Sequence, residues 1–116
     1  MTKPINLLIA DDDRFIRRSI MRMLARDEIF KLYEAENRDS VLSTLGESRI
    51  DCVLMDYYMS DITGLELMRL FREKGISVPV IMLTGQGDEQ LAAKIMKAGA
   101  FDYIPKSRLA EQDFAV

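Results

Sequence analysis

Histidine and tryptophan are both absent from the 116 residues. Without histidine there can be no Ser–His–Asp or Cys–His catalytic set, no imidazole metal ligand and no role as a histidine phospho-donor. Cysteine occurs once, at Cys52, so no disulfide can form within the chain. A reducing compartment, the cytoplasm, is therefore expected. No low-complexity linker or internal repeat is visible, and proline occurs only three times. No apolar run approaches the ~20 residues of a membrane helix, and the start lacks the apolar core of a signal peptide. Basic residues are outnumbered by acidic ones. Lys and Arg number 16 against 19 Asp and Glu, which leaves a net charge of −3 and a pI near 5.0. Nucleic-acid binding favours a basic surface, so direct contact with nucleic acid is not expected.

What is present fits one domain over residues 1–116. The 48% of hydrophobic residues separates the chain from disordered sequences. A chain of this size buries about two-thirds of its unfolded surface without a disulfide or a metal. Apolar runs alternate with helical patterns. Ile5–Ala10 reads as a buried strand. Phe15, Ile16, Ile20, Met23 and Leu24 then recur at helical spacing. Phe30–Ala35 is a second strand, its apolar run broken by Lys31 and Glu34. Val41, Leu42 and Leu45 mark a short helix stopping near Gly46, and Cys52–Met55 is a wholly apolar third strand. Leu67, Met68, Leu70 and Phe71 make a third helix that ends at Gly75. Val78–Leu83 is the fourth strand. Leu91, Ala92, Ile95 and Met96 form the apolar face of a fourth helix, closed by Gly99. Phe101–Ile104 is the fifth strand, and Pro105 puts it at a sheet edge or stops it. A fifth helix begins at about Arg108.

Strands alternating with helices imply right-handed crossovers and a parallel sheet covered on both faces. The first, third and fourth strands are the most continuously apolar and so should be central. Sites in such sheets lie beyond the carboxyl ends of the strands, and polar residues gather there. Asp11, Asp12 and Asp13 follow the first strand, Asp56 the third; Thr84 ends the fourth, and Lys106 follows the fifth. Asp13 reads as a favourable charge at a helix N-terminus. Asp56 resists so bland a reading, because it directly follows Val53-Leu54-Met55 and faces Asp11 and Asp12. Carboxylates that close repel one another unless a cation sits among them. Oxygen-only ligation points to a hard ion, Mg²⁺ before Ca²⁺.

In the residues Leu8-Ile9-Ala10-Asp11-Asp12-Asp13, Val53 through Gly64, Val80 through Gly85 and Gly99 through Lys106, the sequence resembles the receiver domains of two-component response regulators. The resemblance covers nearly the whole chain. It implies an α/β, flavodoxin-like, doubly wound sheet of five parallel strands, order 2-1-3-4-5, with helices on both faces. It implies a phosphoacceptor signalling domain, not an enzyme. The phosphoryl group would come from a histidine kinase or a histidine phosphotransfer protein onto Asp56. Asp12 matches the acid that binds Mg²⁺ directly, and Asp11 its neighbour, which acts through a metal-bound water. Tyr58 sits where the family offers a backbone carbonyl to the metal. Thr84 matches the switch hydroxyl, Lys106 the lysine that pairs with the phosphoryl group, and Tyr103 the switch aromatic. Tyr58 and Gln86 stand where side chains tune the lifetime of the phosphoryl group. The surface of helix 4, strand 5 and helix 5 is where a second copy or an output domain would bind. Gly64 fits the turn opening the third helix, where glycine supplies unusual backbone angles.

The sequence departs from the family pattern in places. Ser60 and Ser107 stand where proline is common. A cis bond before Ser107 costs roughly 3 kcal/mol, so the Lys106–Ser107 bond is expected to be trans, with a different loop. The fifth helix is short at Val116, as in a piece of a longer protein. Arg14, Arg17, Arg18, Arg22 and Arg26 make the first helix basic, either as a solvated face or as a docking face for an acidic partner. The eight methionines mostly fall on apolar stripes as core fillers, and Cys52 reads as an inert small hydrophobe. Tyr57 and Tyr58 flank the site, as gates for water or as ordinary surface-loop aromatics. A competing reading is a small Mg²⁺-dependent phosphatase of the haloacid-dehalogenase type. Its nucleophile would follow the first strand in an Asp-x-Asp pattern, which Asp11 and Asp13 satisfy, but Asp56 would then be unexplained.

Overall fold

The computed structural model describes residues 3–85 and 89–108. Strands β1 (Ile5–Ala10), β2 (Phe30–Ala35), β3 (Cys52–Asp56), β4 (Val80–Thr84) and β5 (Asp102–Pro105) alternate with helices α1 (Arg14–Leu24), α2 (Arg38–Glu47), α3 (Gly64–Glu73) and α4 (Glu89–Lys97). A further helical turn opens at 106–108. The remainder of the expected fifth helix falls on residues 109–116, outside the described residues. All four strand pairings are parallel, in the order β2-β1-β3-β4-β5. The central strands are the most apolar, as expected. β4 begins two residues later than the apolar run suggests, because Val78 and Pro79 precede the ladder. Asp56 and Thr84 are the last residues of their strands, within the ladder itself. Among the described residues no helix is long and apolar enough to cross a membrane.

Side chains alternate across the sheet and divide the core in two. Leu8, Val53, Met55 and Met82 pack on one face with Val41 of α2, Leu67 and Phe71 of α3 and Ile95 of α4. Leu7, Ile9, Leu54 and Leu83 pack on the other with Ile20 of α1. Polar residues set the helix ends. Asp13 caps α1, accepting from the Phe15 and Ile16 amides, which bears out its bland reading. Asn37 with Ser40, and Thr63 with Glu66, close reciprocal capping boxes on α2 and α3. Gly75 and Gly99 end α3 and α4 with positive φ, where a side chain would be strained.

Several expectations need correction. Phe15 does not belong to the apolar face of α1; it is 86% exposed, while Arg17 is buried. The helical period explains this, for Phe15 shares its face with Arg18, Ser19 and Arg22. Gly64 does not supply an unusual backbone angle, since its φ is not positive. Its need is space: a Cβ there would lie 2.5 Å from the Met82 sulfur and 2.7 Å from its Cε. Met96 is exposed rather than in the core. The Lys106–Ser107 bond is trans, as expected.

Candidate functional site

The register of the sheet assembles the polar residues. Ala10 pairs with Met55, Asp56 with Leu83 and Thr84 with Pro105. The residues that end or follow β1, β3, β4 and β5 therefore meet at one carboxyl edge. Asp11 is fully buried there and Asp56 nearly so. Asp11, Asp12 and Asp56 each place a carboxylate oxygen within 4.8 Å of the others. The Lys106 ammonium lies 2.9 Å from Asp56 Oδ1 and 3.9 Å from Asp11 Oδ2.

Burial sets the electrostatics. It raises the Asp11 pKa from 3.8 to about 6. The Asp13 amide, which donates to Asp11 Oδ1 at 2.8 Å, pulls against that, as does Lys106, while the charges of Asp56 and Asp12 add to it. Burial also raises the Asp56 pKa, against the hydrogen bond and charge of Lys106 and the Tyr58 amide. Asp11 Oδ2 is buried without a hydrogen-bond partner among the described residues. Among the described residues Lys106 supplies the ion pairs to this cluster. Asp12 is exposed, but one ammonium beside the buried carboxylates of Asp11 and Asp56 still leaves negative charge uncompensated away from water, which is costly. An all-oxygen donor set with an orphaned carboxylate oxygen fits a hard divalent cation.

The flanking residues differ from one another. Tyr58 is 64% exposed and meets the Tyr57 ring edge-on, with centroids 4.6 Å apart. Tyr57 is not a surface aromatic; it is buried in the core cluster beneath α3. The Gly64 amide donates to the Tyr57 carbonyl and the Met59 amide to the Ile62 carbonyl, closing the loop after β3 despite Ser60. Thr84 is buried, and Tyr103 is about one-third exposed on the edge strand. Gln86 lies outside the described residues. Reading the sequence missed a link behind the cluster. Arg17 reaches Glu34 on β2 and the Asp11 carbonyl, both at 2.8 Å. The available signal was Glu34 itself, a charge interrupting the apolar run of the edge strand β2.

Known proteins match this chain in sequence and in fold. The family model for the response regulator receiver domain covers residues 7–113. The transcriptional regulatory protein ResD of Bacillus subtilis is 37% identical over 105 residues, 90% of this chain and 43% of ResD. The DNA-binding transcriptional regulator NtrC of Proteus hauseri is 34% identical over 101 residues, 87% of this chain and 21% of NtrC. The chain thus spans less than half the length of these relatives. The crystal structure of FixJ-N superposes with a TM-score of 0.81 at 28% identity, covering 98% of this chain and 93% of that one. A receiver domain protein from Clostridium thermocellum gives 0.78 at 31% identity, covering 88% and 82%.

Proposed function

This chain belongs to the response regulator receiver domain family, and from that premise we propose that it is a phosphoaccepting switch whose acceptor is Asp56. The carrying observation is the buried Asp56 carboxylate held 2.9 Å from Lys106, beside an Asp11 oxygen with no hydrogen-bond partner among the described residues. An Asp56 oxygen attacks the phosphorus of a partner's phosphohistidine. The new O–P bond forms as the P–N bond breaks, and the imidazole nitrogen keeps the electron pair. A carboxylate is a weak nucleophile, so alignment and charge neutralisation matter more here than a base. Lys106, already on Asp56, takes a phosphoryl oxygen, and the Thr84 hydroxyl donates to another. Asp12 and Asp56, with Asp11 behind them and the Tyr58 carbonyl alongside, would hold Mg²⁺. When bound, Mg²⁺ supplies positive charge for the oxygens around phosphorus. Tyr58 and Gln86 remain the residues assigned to tuning the lifetime of the acyl phosphate.

Intact-mass measurement after treatment with acetyl phosphate and Mg²⁺ tests the assignment. Wild type is expected to gain one phosphoryl group and Asp56→Asn none; undiminished labelling of Asp56→Asn rejects it. The haloacid-dehalogenase reading gains nothing from the comparisons. The second aspartate of its pattern, Asp13, is engaged as the cap of α1.

For the kinase or phosphotransfer partner, the supporting feature is the α1 face. Arg14, Arg18 and Arg22 line an open cleft with the exposed ring of Phe15, against the single acid Glu34, which suits an acidic surface with an apolar centre. For output we keep the face of α4, β5 and the helix after it, where Met96 and Tyr103 are exposed. A phosphoryl group on Asp56 gives the Thr84 hydroxyl a charged acceptor, worth roughly 1.5–3 kcal/mol. That shifts a pre-existing equilibrium about 10- to 150-fold and turns Tyr103 inward. Beryllofluoride, a phosphoryl mimic, is expected to move NMR signals of Tyr103 and residues 89–97. Changes confined to the loops after β1 and β3 reject the coupled switch.

A further inference from the structure

Of the four arginines on α1, only Arg17 is buried. Its Nε donates to Glu34 Oε1 and its Nη1 to the main-chain carbonyl of Asp11, both at 2.8 Å. We infer that Arg17 is a positioning residue for the acidic site, holding Asp11 and Asp12 in place for the cation from the side away from it. The inference rests on reading Asp11, Asp12 and Asp56 as the metal site, and it extends that reading to residues that touch neither metal nor phosphoryl group.

Stability alone does not call for an arginine here. Burying a guanidinium costs desolvation, and buried ion pairs are often replaced by apolar residues without loss. The neighbours of Arg17 on its face of α1, Ile16, Ile20 and Met21, already pack on the apolar cluster, so a methionine would pack there as well. What methionine lacks is a rigid fork that satisfies two acceptors at once. One of those acceptors is the backbone of the site. Each part of Asp11 is held separately. Its amide donates to the Ala35 carbonyl at 3.1 Å, its carbonyl accepts from Arg17, and its Oδ1 accepts from the Asp13 amide. The remaining oxygen, Oδ2, is the orphan near Lys106. Asp12 follows directly, so fixing the Asp11 carbonyl fixes the peptide plane from which Asp12 projects. Glu34 in turn fixes Arg17 from the edge strand β2. A site ordered beforehand loses less entropy when it takes its ligand.

Calorimetric titration of the whole chain with Mg²⁺ tests this, with Arg17→Met, Arg17→Lys and Glu34→Gln beside wild type. Residues that support ligands carry about 10- to 100-fold in metal affinity. Arg17→Met is expected to weaken binding about 10-fold, Arg17→Lys less, and Glu34→Gln least. Ile20→Val, which loosens the same helix face without touching the link, is expected to lower the melting temperature and leave the affinity alone. In the metal-free protein, hydrogen exchange at the Asp11 and Asp13 amides should quicken in Arg17→Met and not in Ile20→Val. If Arg17→Met does not fold, Arg17→Lys and Glu34→Gln carry the comparison. Folded Arg17 and Glu34 variants with wild-type affinity overturn the inference, provided Asp12→Ala has lost Mg²⁺. A wild type that binds no Mg²⁺, or an Asp12→Ala variant that binds it equally well, overturns the metal-site reading and this inference with it.

Discussion

Asp51 and Asp56 stand at opposite ends of β3, one just before its first residue and one as its last. Asp51 lies in a settled network. Its Oδ2 accepts from the Asn6 amide at 2.8 Å, its Oδ1 lies 3.7 Å from Arg49 Nε, and its side chain is 36% exposed. Asp56 is buried beside two further carboxylates, with Lys106 to serve it and Asp11 together. The same residue type thus completes a polar network at one end of the strand and leaves one unfinished at the other. Carboxylates are common at strand ends. The distinguishing feature of Asp56 is the charge left over around it.

The comparison can be broken by experiment, and the largest effect belongs to the metal. Asp12→Ala is expected to weaken Mg²⁺ binding by more than about 100-fold, above what supporting residues carry, and Asp11→Ala by less. Titration giving the reverse order rejects the assignment of Asp12 as the direct ligand. Asp51→Ala should leave the affinity unchanged.

Stability against pH comes next. Folding raises the Asp11 pKa from 3.8 to about 6, so the native carboxyl holds its proton more tightly than the unfolded one. The stability linked to that proton is complete below about pH 4 and is lost as pH rises through 6. Asp11→Asn removes the charge and keeps an oxygen for the Asp13 amide. In EDTA at pH 7 it is therefore expected to be more stable than wild type by about 2–3 kcal/mol, at 1.36 kcal/mol for each pH unit between the two values. The gain should vanish below pH 4, and Mg²⁺ should narrow it by stabilising the wild type. Urea melts at several pH values would measure this, and a gain independent of pH rejects burial of charge as its cause.

The smallest effect is at the finished end of β3. Asp51→Ala loses the hydrogen bond from the Asn6 amide, while the Asp51 amide still donates to the Asn6 carbonyl. A loss of about 1 kcal/mol in the same urea melts is expected, with acetyl phosphate labelling intact. Loss of labelling would show that the two ends of the strand are not independent.

The central strands were legible because a parallel strand covered on both faces must be apolar throughout, whereas the strand order came from the family resemblance. Such runs as Leu7-Leu8-Ile9-Ala10 and Val53-Leu54-Met55 stand out without any partner. The aspartates were legible because Asp11, with Asp12 next to it, directly follows such a run and Asp56 ends one. Arg17 was not, since one of its acceptors is a main-chain carbonyl, which leaves no trace in residue type, and the charge of Glu34 alone hinted at the other. Phe15 was misplaced because an aromatic counts as apolar wherever it falls, although its helical neighbours Arg18 and Arg22 already marked the outer face. Gly64 was read through its backbone, whereas its constraint is the Met82 side chain on β4. Tyr57 and Tyr58 are adjacent in sequence, and only the packing of α3 decides which of them is buried.

That pair has an optical consequence. The chain has no tryptophan, so its near-ultraviolet emission comes from four tyrosines, of which Tyr57 and Tyr58 are in edge-on contact directly after Asp56. Replacing Tyr33 and Tyr103 by phenylalanine would leave fluorescence arising from these two rings alone, one shielded and one in water. Such a protein carries its own reporter beside the Asp56 carboxylate. Quenching by a soluble ion would then read the exposed ring separately from the buried one, with no dye attached.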